Sequence, residues 1–239
     1  MSRRRAVSRG PAPLLAAVLA LAVPLGAAGL QNPRQRRNPA DTVPTLGLEQ
    51  GFLDLETPAF HLRLVQASQT VAALEPRVAD GFDFTPGDLL EQRAADGYYH
   101  LGDLTLRLRT GTAGAWQSYS TAGARKPVRA LEVSAPMLAA ADLGPTLPAD
   151  MPVDVRRYWE VDGGHLTLRF EFTNESAETV EIGGLGIPMI FDNILQGRSL
   201  DEAHAICSFH DPYIGGDAGY LQVTRLSGHG PALLVVPHG

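Results

Sequence analysis

The residues best equipped for chemistry lie near the C-terminus. Residues 207–220 read CSFHDPYIGGDAGY, which places two acids, a histidine, two tyrosines and three glycines between apolar runs. Glycoside hydrolysis needs two carboxylates, one to donate a proton and one to act as base or nucleophile. Asp211 with Asp217, and Asp201 with Glu202, are the candidate pairs. Both have a plainer reading. Asp211 precedes Pro212 and Asp217 follows Gly216, contexts that form turns. Asp201 and Glu202 follow Ser199, where a helix N-terminus favours acids and Ser with a later Glu makes a capping box. The sequence therefore assigns no catalytic residue. His204, His210, Asp211 and Asp217 are metal-ligand types, yet a solvated loop accounts for them equally, and neither a metal nor a cofactor is expected. Gly215-Gly216 lacks the lysine and following helix of a phosphate loop. Recognition remains. Tyr213 and Tyr220 offer ring faces to a sugar, and Asp211 and Asp217 can accept hydrogen bonds from its hydroxyls. These four form the expected carbohydrate site, on a loop held between strands. Trp159, Tyr98 and Tyr99 are the other candidate aromatics, but Trp159 shares a face with Val155 and Val161 and reads as core.

Such a loop needs a rigid support, and the sequence supplies strands. Two runs of alternating residues, within the stretch from Val153 to Asn193, flank Asp162-Gly163-Gly164, whose glycines accept the positive φ angles of a tight hairpin turn. Leu166, Leu168, Phe170 and Phe172 fall on one face, and Val153, Val155, Trp159 and Val161 on another, interrupted by Arg157. A second turn at Asn174–Ala177 leads to a third strand from Thr179, so the stretch reads as a meander. Its nearly all-apolar continuation, Gly186–Phe191, is expected to lie buried on both faces. Further strands are expected at Ala59–Val65, Thr70–Leu74, Leu104–Arg109, Leu221–Leu226 and Ala232–Val236, with weaker ones at Trp116–Thr121 and Val128–Val133. Asp88 is positioned to cap a short helical turn over Gly87–Arg93. Pro136, Pro145 and Pro148 break residues 135–150, where Met137–Leu143 has at most a turn of helix. The fold class is all-β, an antiparallel sandwich, because a half-apolar sheet needs a second sheet over it.

The N-terminus reads as an export signal over residues 1–29. Arg3, Arg4, Arg5 and Arg9 precede the apolar run Leu14–Leu25 and the small residues Gly26–Gly29, the pattern of a cleaved leader. The run falls short of the roughly 20 residues that span a bilayer, so no stable membrane insertion is expected. Residues 30–45 are polar and rich in Pro, Asn and Arg, a flexible lead-in, and order is expected from Leu46. Removing the four early arginines takes 20 basic residues to 16 against 26 acidic, a charge of −10. Such a domain lacks the basic footprint of a nucleic-acid binder. Cys207 is the single cysteine, so the core must stabilise the fold without a disulfide. The chain ends directly after an apolar strand with no closing element, which reads as a truncated domain over residues 46–239.

Four stretches carry a resemblance: DGYYHLGDLTLRLR from Asp96, RYWEVDGG from Arg157, GIPMIFDN from Gly186, and GRSLDEAH through DPYIGGDAGYLQVTR over Gly197–Arg225. They resemble the N-terminal part of large secreted proteins grouped as domain-of-unknown-function family 5695, over about Leu46–Gly239. The resemblance implies a β-supersandwich similar to galactose mutarotase-like domains, at the head of a glycoside hydrolase-like protein. It also implies a C-terminal (α/α) barrel as partner, with the catalytic acid and base there rather than here. On this basis the expected function is a non-catalytic module of an exported carbohydrate-active protein. The alternatives are a stand-alone sugar-binding or epimerase-like domain, with its own acid and base, and a structural envelope domain.

Overall fold

The computed structural model describes residues 46–192, 197–215 and 218–237. The expected leader and lead-in, residues 1–45, lie outside the described residues. Among the described residues the chain forms four antiparallel sheets. The first holds β1 (Phe52–Glu56), β2 (Phe60–Val65) and β3 (Val71–Pro76); the second holds β4 (Thr105–Thr110) and β5 (Gln117–Ser120), with β10 (Val180–Gly186) on the other side of β4. The third runs β6 (Arg129–Leu131), β7 (Met137–Asp142), β8 (Val153–Asp162), β9 (His165–Asn174), and the fourth joins β11 (Ser208–Gly215), β12 (Ala218–Arg225) and β13 (Leu233–Val235). Three short helices, α1 (Leu90–Ala95), α2 (Thr121–Ala124) and α3 (Leu200–Ile206), fill connections. The all-β antiparallel sandwich expected from the periodicity is the fold.

The β8–β9 hairpin organises the rest. Its strands pair without interruption from Val153↔Asn174 to Asp162↔His165, and Gly163 and Gly164 take φ of 54° and 87° at the turn. Ten residues per strand span about 34 Å, longer than either covering sheet. The hairpin's apolar face is therefore covered in two parts. Near the turn, Trp159, Leu166 and Leu168 pack with Leu62, Leu64, Val71 and Leu74 of the first sheet and Val223 of the fourth. Toward the other end, Val153, Val155, Phe170 and Phe172 pack with Leu104, Leu106 and Leu108, on and beside β4.

Arg157 lies between the two clusters, and its place explains the interruption in the pattern. It is 1% exposed. Its Nη1 donates to the Gly102 carbonyl at 2.6 Å and its Nη2 to the Ser68 carbonyl at 2.5 Å. Those carbonyls belong to the β2–β3 turn and the approach to β4. Backbone groups in such connections need partners once buried, and a long planar donor fork reaches two of them. Gly102, at φ 104°, takes a backbone conformation that side chains disfavour, and a Cβ there would stand a tight 3.3 Å from both Arg157 Nη1 and Trp159 Cζ2.

Four expectations change. The chain after β9 does not continue as a meander. Asn174 Oδ1 accepts from the Ser176 N–H and hydroxyl, and beyond this turn β10 pairs with β4. Gly186–Phe191 is not a doubly buried strand; residues 187–191 carry no strand pairing and only Phe191 is buried, because Pro188 lacks a ladder donor. Met137–Asp142 is a strand rather than a helical turn, paired on both sides by β6 and β8. Its alanines favour a helix in isolation, and cross-strand pairing overrides that preference. Asp88 caps no helix; its carboxylate receives two hydrogen bonds from Arg198, at 2.9 and 3.0 Å. β1, whose Phe-Leu-Asp-Leu-Glu alternation is short, joins the expected strands as an addition.

Gly183 is required by its neighbour. A Cβ there would lie 2.5 Å from the Trp116 ring, whose centroid has the guanidinium groups of Arg107 and Arg109 at 5.1 and 4.7 Å. Gly183→Ala should cost about 1–3 kcal/mol by overpacking, and much less in a Trp116→Ala background. Additive losses in a double-mutant cycle would show that the ring is not what the glycine accommodates.

On the outer face of the first sheet, His61 lies between carboxylates. Its Nδ1 is 3.0 Å from Glu75 Oε2 and its Nε2 is 3.1 Å from Asp54 Oδ1. The hydrogen bond with Glu75 is the main cause that raises the His61 pKa above 6.5; burial pulls it the other way, and the hydrogen bond with Asp54 adds to the rise. A raised folded pKa means that the contribution is complete below the unfolded value and fades as pH rises through the folded one. The partners are largely exposed, which limits the effect to below about 1 kcal/mol. Stability should therefore fall as pH rises from the unfolded value of 6.5 through the raised folded one, more in the wild type than in His61→Gln. Parallel curves for the two proteins would remove this role.

Candidate functional site

The stretch expected as a loop is mostly strand. β11 and β12 pair from Ser208↔Arg225 to Gly215↔Ala218, so residues 208–215 and 218–225 form a hairpin. Tyr213 and Tyr220 sit directly opposite each other. Their rings are stacked at 4.6 Å between centroids and 16° between planes, and they are 42% and 40% exposed. Asp211, two residues before Tyr213, shares that face, and its carboxylate pushes the Tyr213 phenol pKa up. Three of the four expected residues thus come together, and the fourth, Asp217, lies outside the described residues. Gln222 stands opposite Asp211 and Thr224 opposite Phe209, while Leu234 of β13 pairs with Gln222. The period of two puts Phe209, Asp211, Tyr213, Tyr220, Gln222, Thr224 and Leu234 on one open surface. Phe209 and Leu234 are more than half exposed. The sequence reading missed Phe209 because it treated residues 207–220 as a loop, where alternation has no meaning, and Gln222, Thr224 and Leu234 because their strands were read only as flanking support.

The other face of the hairpin is tied down. Val223 is fully buried, and Leu221, Leu233 and Val235 pack around it against the main core. His210 sets its ring edge on Phe191 at 5.5 Å, and burial pushes its pKa down. Arg225 donates to Asp192 Oδ2 at 3.4 Å and to the Asp83 carbonyl, and its guanidinium lies 4.2 Å from the Phe82 ring centroid. Asp192 also receives Arg198 at 3.3 Å. Burial pushes the Asp192 carboxyl up to about 6, against the opposing pull of the two arginines. The network fixes β11 and β12 to the segment before α1. Helix α3 enters the hairpin with the expected capping box, Ser199 Oγ accepting from the Glu202 N–H at 3.2 Å and Glu202 Oε2 accepting from the Ser199 N–H at 2.8 Å. That contact accounts for Glu202 as a residue that caps the start of the helix.

The other candidates separate. His210 and Asp211 point to opposite faces of β11, and His204 is on α3. Among the described residues no three His, Cys, Asp or Glu side chains gather as a metal shell requires. Trp159 is core, and its Nε1 donates to the Gln69 carbonyl at 3.1 Å. Tyr98 carries the Arg93 guanidinium 5.0 Å from its ring centroid. A separate concavity of about 190 Å³ opens beside β4 and β5, with Arg109, Gln117, Tyr119 and Asp150 in its wall. It is smaller than the roughly 300–1,000 Å³ of typical ligand pockets. Among the described residues no helix is long and apolar enough to cross a membrane.

The molecule is thus an antiparallel β-sandwich domain with an open aromatic strip on its last sheet. It belongs to the family of unknown function DUF5695, whose model matches residues 63–239. A solved structure described as a polysaccharide lyase superposes with a TM-score of 0.55 at 14% identity, covering 77% of this chain and 25% of that one. This chain spans about a quarter of that structure's length, and the likeness is one of fold. No curated protein matches the sequence.

Proposed function

We propose that this chain is a non-catalytic β-sandwich module of an exported carbohydrate-active protein, and that the open face of β11, β12 and β13 forms one wall of a glycan-binding cleft. The observation that carries the reading is the exposed Tyr213–Tyr220 stack with Asp211 on the same face beside it. Stacked phenols present a flat apolar surface to the C–H face of a sugar ring, while Asp211 and Gln222 offer the polar atoms that fix its hydroxyls. The fold likeness to a polysaccharide lyase is consistent with this setting. A second domain, expected from the family resemblance to be an (α/α) barrel, would supply the opposite wall and the catalytic groups. One open wall should bind weakly, with a Kd of roughly 1 mM, about 4 kcal/mol.

The rival, a sugar-binding or epimerase-like domain acting alone, needs an acid and a base within reach of one substrate. On the tyrosine face, Asp211 is the single carboxylate among the described residues, and the β4–β5 concavity is lined by Asp150 as its single carboxylate. Calorimetry with a panel of polysaccharides, together with an assay for new reducing ends, separates the two readings. Weak heats that vanish in Tyr213→Ala/Tyr220→Ala, with no new ends, are expected. Turnover abolished by Asp211→Asn would overturn the non-catalytic assignment.

A further inference from the structure

The tyrosine face is one-sided in charge. Across it Tyr213 lies opposite Tyr220, Asp211 opposite Gln222 and Phe209 opposite Thr224, so Asp211 is the single charged side chain in these pairs. The sequence around them agrees. No lysine or arginine occurs between Arg198 and Arg225, and none follows Arg225. Over the same residues, 199–239, the acids are Asp201, Glu202, Asp211 and Asp217. Arg225 is 8% exposed and follows Thr224, so alternation puts it on the opposite face. There it donates to Asp192 Oδ2 at 3.4 Å and to the Asp83 carbonyl. The aromatic strip therefore has no cation of its own strands to offer a ligand.

Anionic sugars are recognised by guanidinium forks or ammonium groups that neutralise each carboxylate or sulfate. A uronate on this face would instead bring its charge to Asp211, on a chain whose net charge is −6. Like charges about 4 Å apart cost roughly five-fold in affinity even at the dielectric constant of water. Resting on the reading of this face as a glycan wall, we propose that it takes an uncharged glycan chain and rejects uronate and sulfated ones. The stacked phenols receive the C–H face of a neutral ring, and Asp211 and Gln222 take its hydroxyls. Phe209 to Tyr213 covers about 13 Å along β11. With exposed aromatics at both ends and polar groups between, the strip fits a chain of linked sugars rather than a single one.

Titration of the full chain at low salt, followed by the magnetic resonance signals of Tyr213 and Tyr220, tests the charge preference. One arm uses cellohexaose, xylohexaose and mannohexaose; the other uses hexagalacturonate and hexaguluronate. A neutral oligomer should shift both tyrosines with a Kd that does not change as salt is added. The uronates should bind roughly five-fold more weakly, and the gap should narrow as salt screens the repulsion. Asp211→Asn keeps a carbonyl acceptor and removes the charge, so it should close most of that gap while leaving the neutral oligomers little changed. A uronate that binds the tyrosines as tightly as the neutral oligomers would overturn the proposal and leave the glycan wall standing. Glucosamine oligomers that bind more tightly than the neutral set, and lose that advantage in salt, would do the same. Silence of both tyrosines toward every oligomer would overturn the glycan wall itself, and the charge preference with it.

Discussion

Replacing Asp103 with alanine should lower the unfolding free energy by about 3–5 kcal/mol. The loss exceeds that of the hydrogen bonds alone. Asp103 holds Arg125 through a two-pronged pair and accepts from Thr121 and His100. Without it, two guanidinium groups and a threonine hydroxyl are buried with no anion nearby. Burial already pushes the Arg157 pKa down to about 10 and that of His100 down to about 3, so an unbalanced charge here is strongly felt. Asp54→Ala is the matched control. Asp54 pairs with Arg63 at 2.7 Å, but both side chains are about half exposed, and its loss should cost less than about 1 kcal/mol. Urea titrations of the two variants, with unchanged slope, measure the difference. Equal midpoints would show that the Asp103 network is not a stabilising centre.

Trp159→Ala should cost a similar amount, about 3–5 kcal/mol. Trp159 is 2% exposed in the cluster that joins the first, third and fourth sheets, so the cavity left behind has rigid walls on three sides. The substitution also strands the Gln69 carbonyl that accepts from its Nε1. Trp159→Phe keeps most of the packing and should recover all but about 1–2 kcal/mol. If Trp159→Phe were as damaging as alanine, the hydrogen bond rather than the packing would dominate. If both were mild, the two-cluster description of the core would be wrong.

The long hairpin and the alternating strands were legible in the sequence because each buries one face, and a period of two shows directly in the order of residues. Partner choice was not. The turn at Asn174 is written in the chain, but nothing local says that β10 will pair with β4, as Glu181 does with Arg109, 72 residues earlier. Met137–Asp142 misled for a related reason: its alanines carry no strand signal, and pairing on both sides makes the strand. The candidate site was readable by composition but not by geometry. Tyrosines and acids marked residues 211–220, while the alternation that puts Phe209 and Gln222 beside them was hidden by glycines and Pro212. Arg157 shows the opposite case. A charge on the apolar side of a strand was visible at once, and its reason became clear only with the carbonyls of Ser68 and Gly102 beside it.

The central claim is that a glycan lies on the open face of the last sheet. Nuclear magnetic resonance titration of the isotopically labelled chain with soluble oligosaccharides tests it most directly. The account predicts fast-exchange shifts confined to the signals of Phe209, Asp211, Tyr213, Tyr220, Gln222 and Leu234, lost in Tyr213→Ala/Tyr220→Ala. Shifts centred instead on Gln117, Tyr119 and Asp150, with the tyrosine face silent, would contradict it.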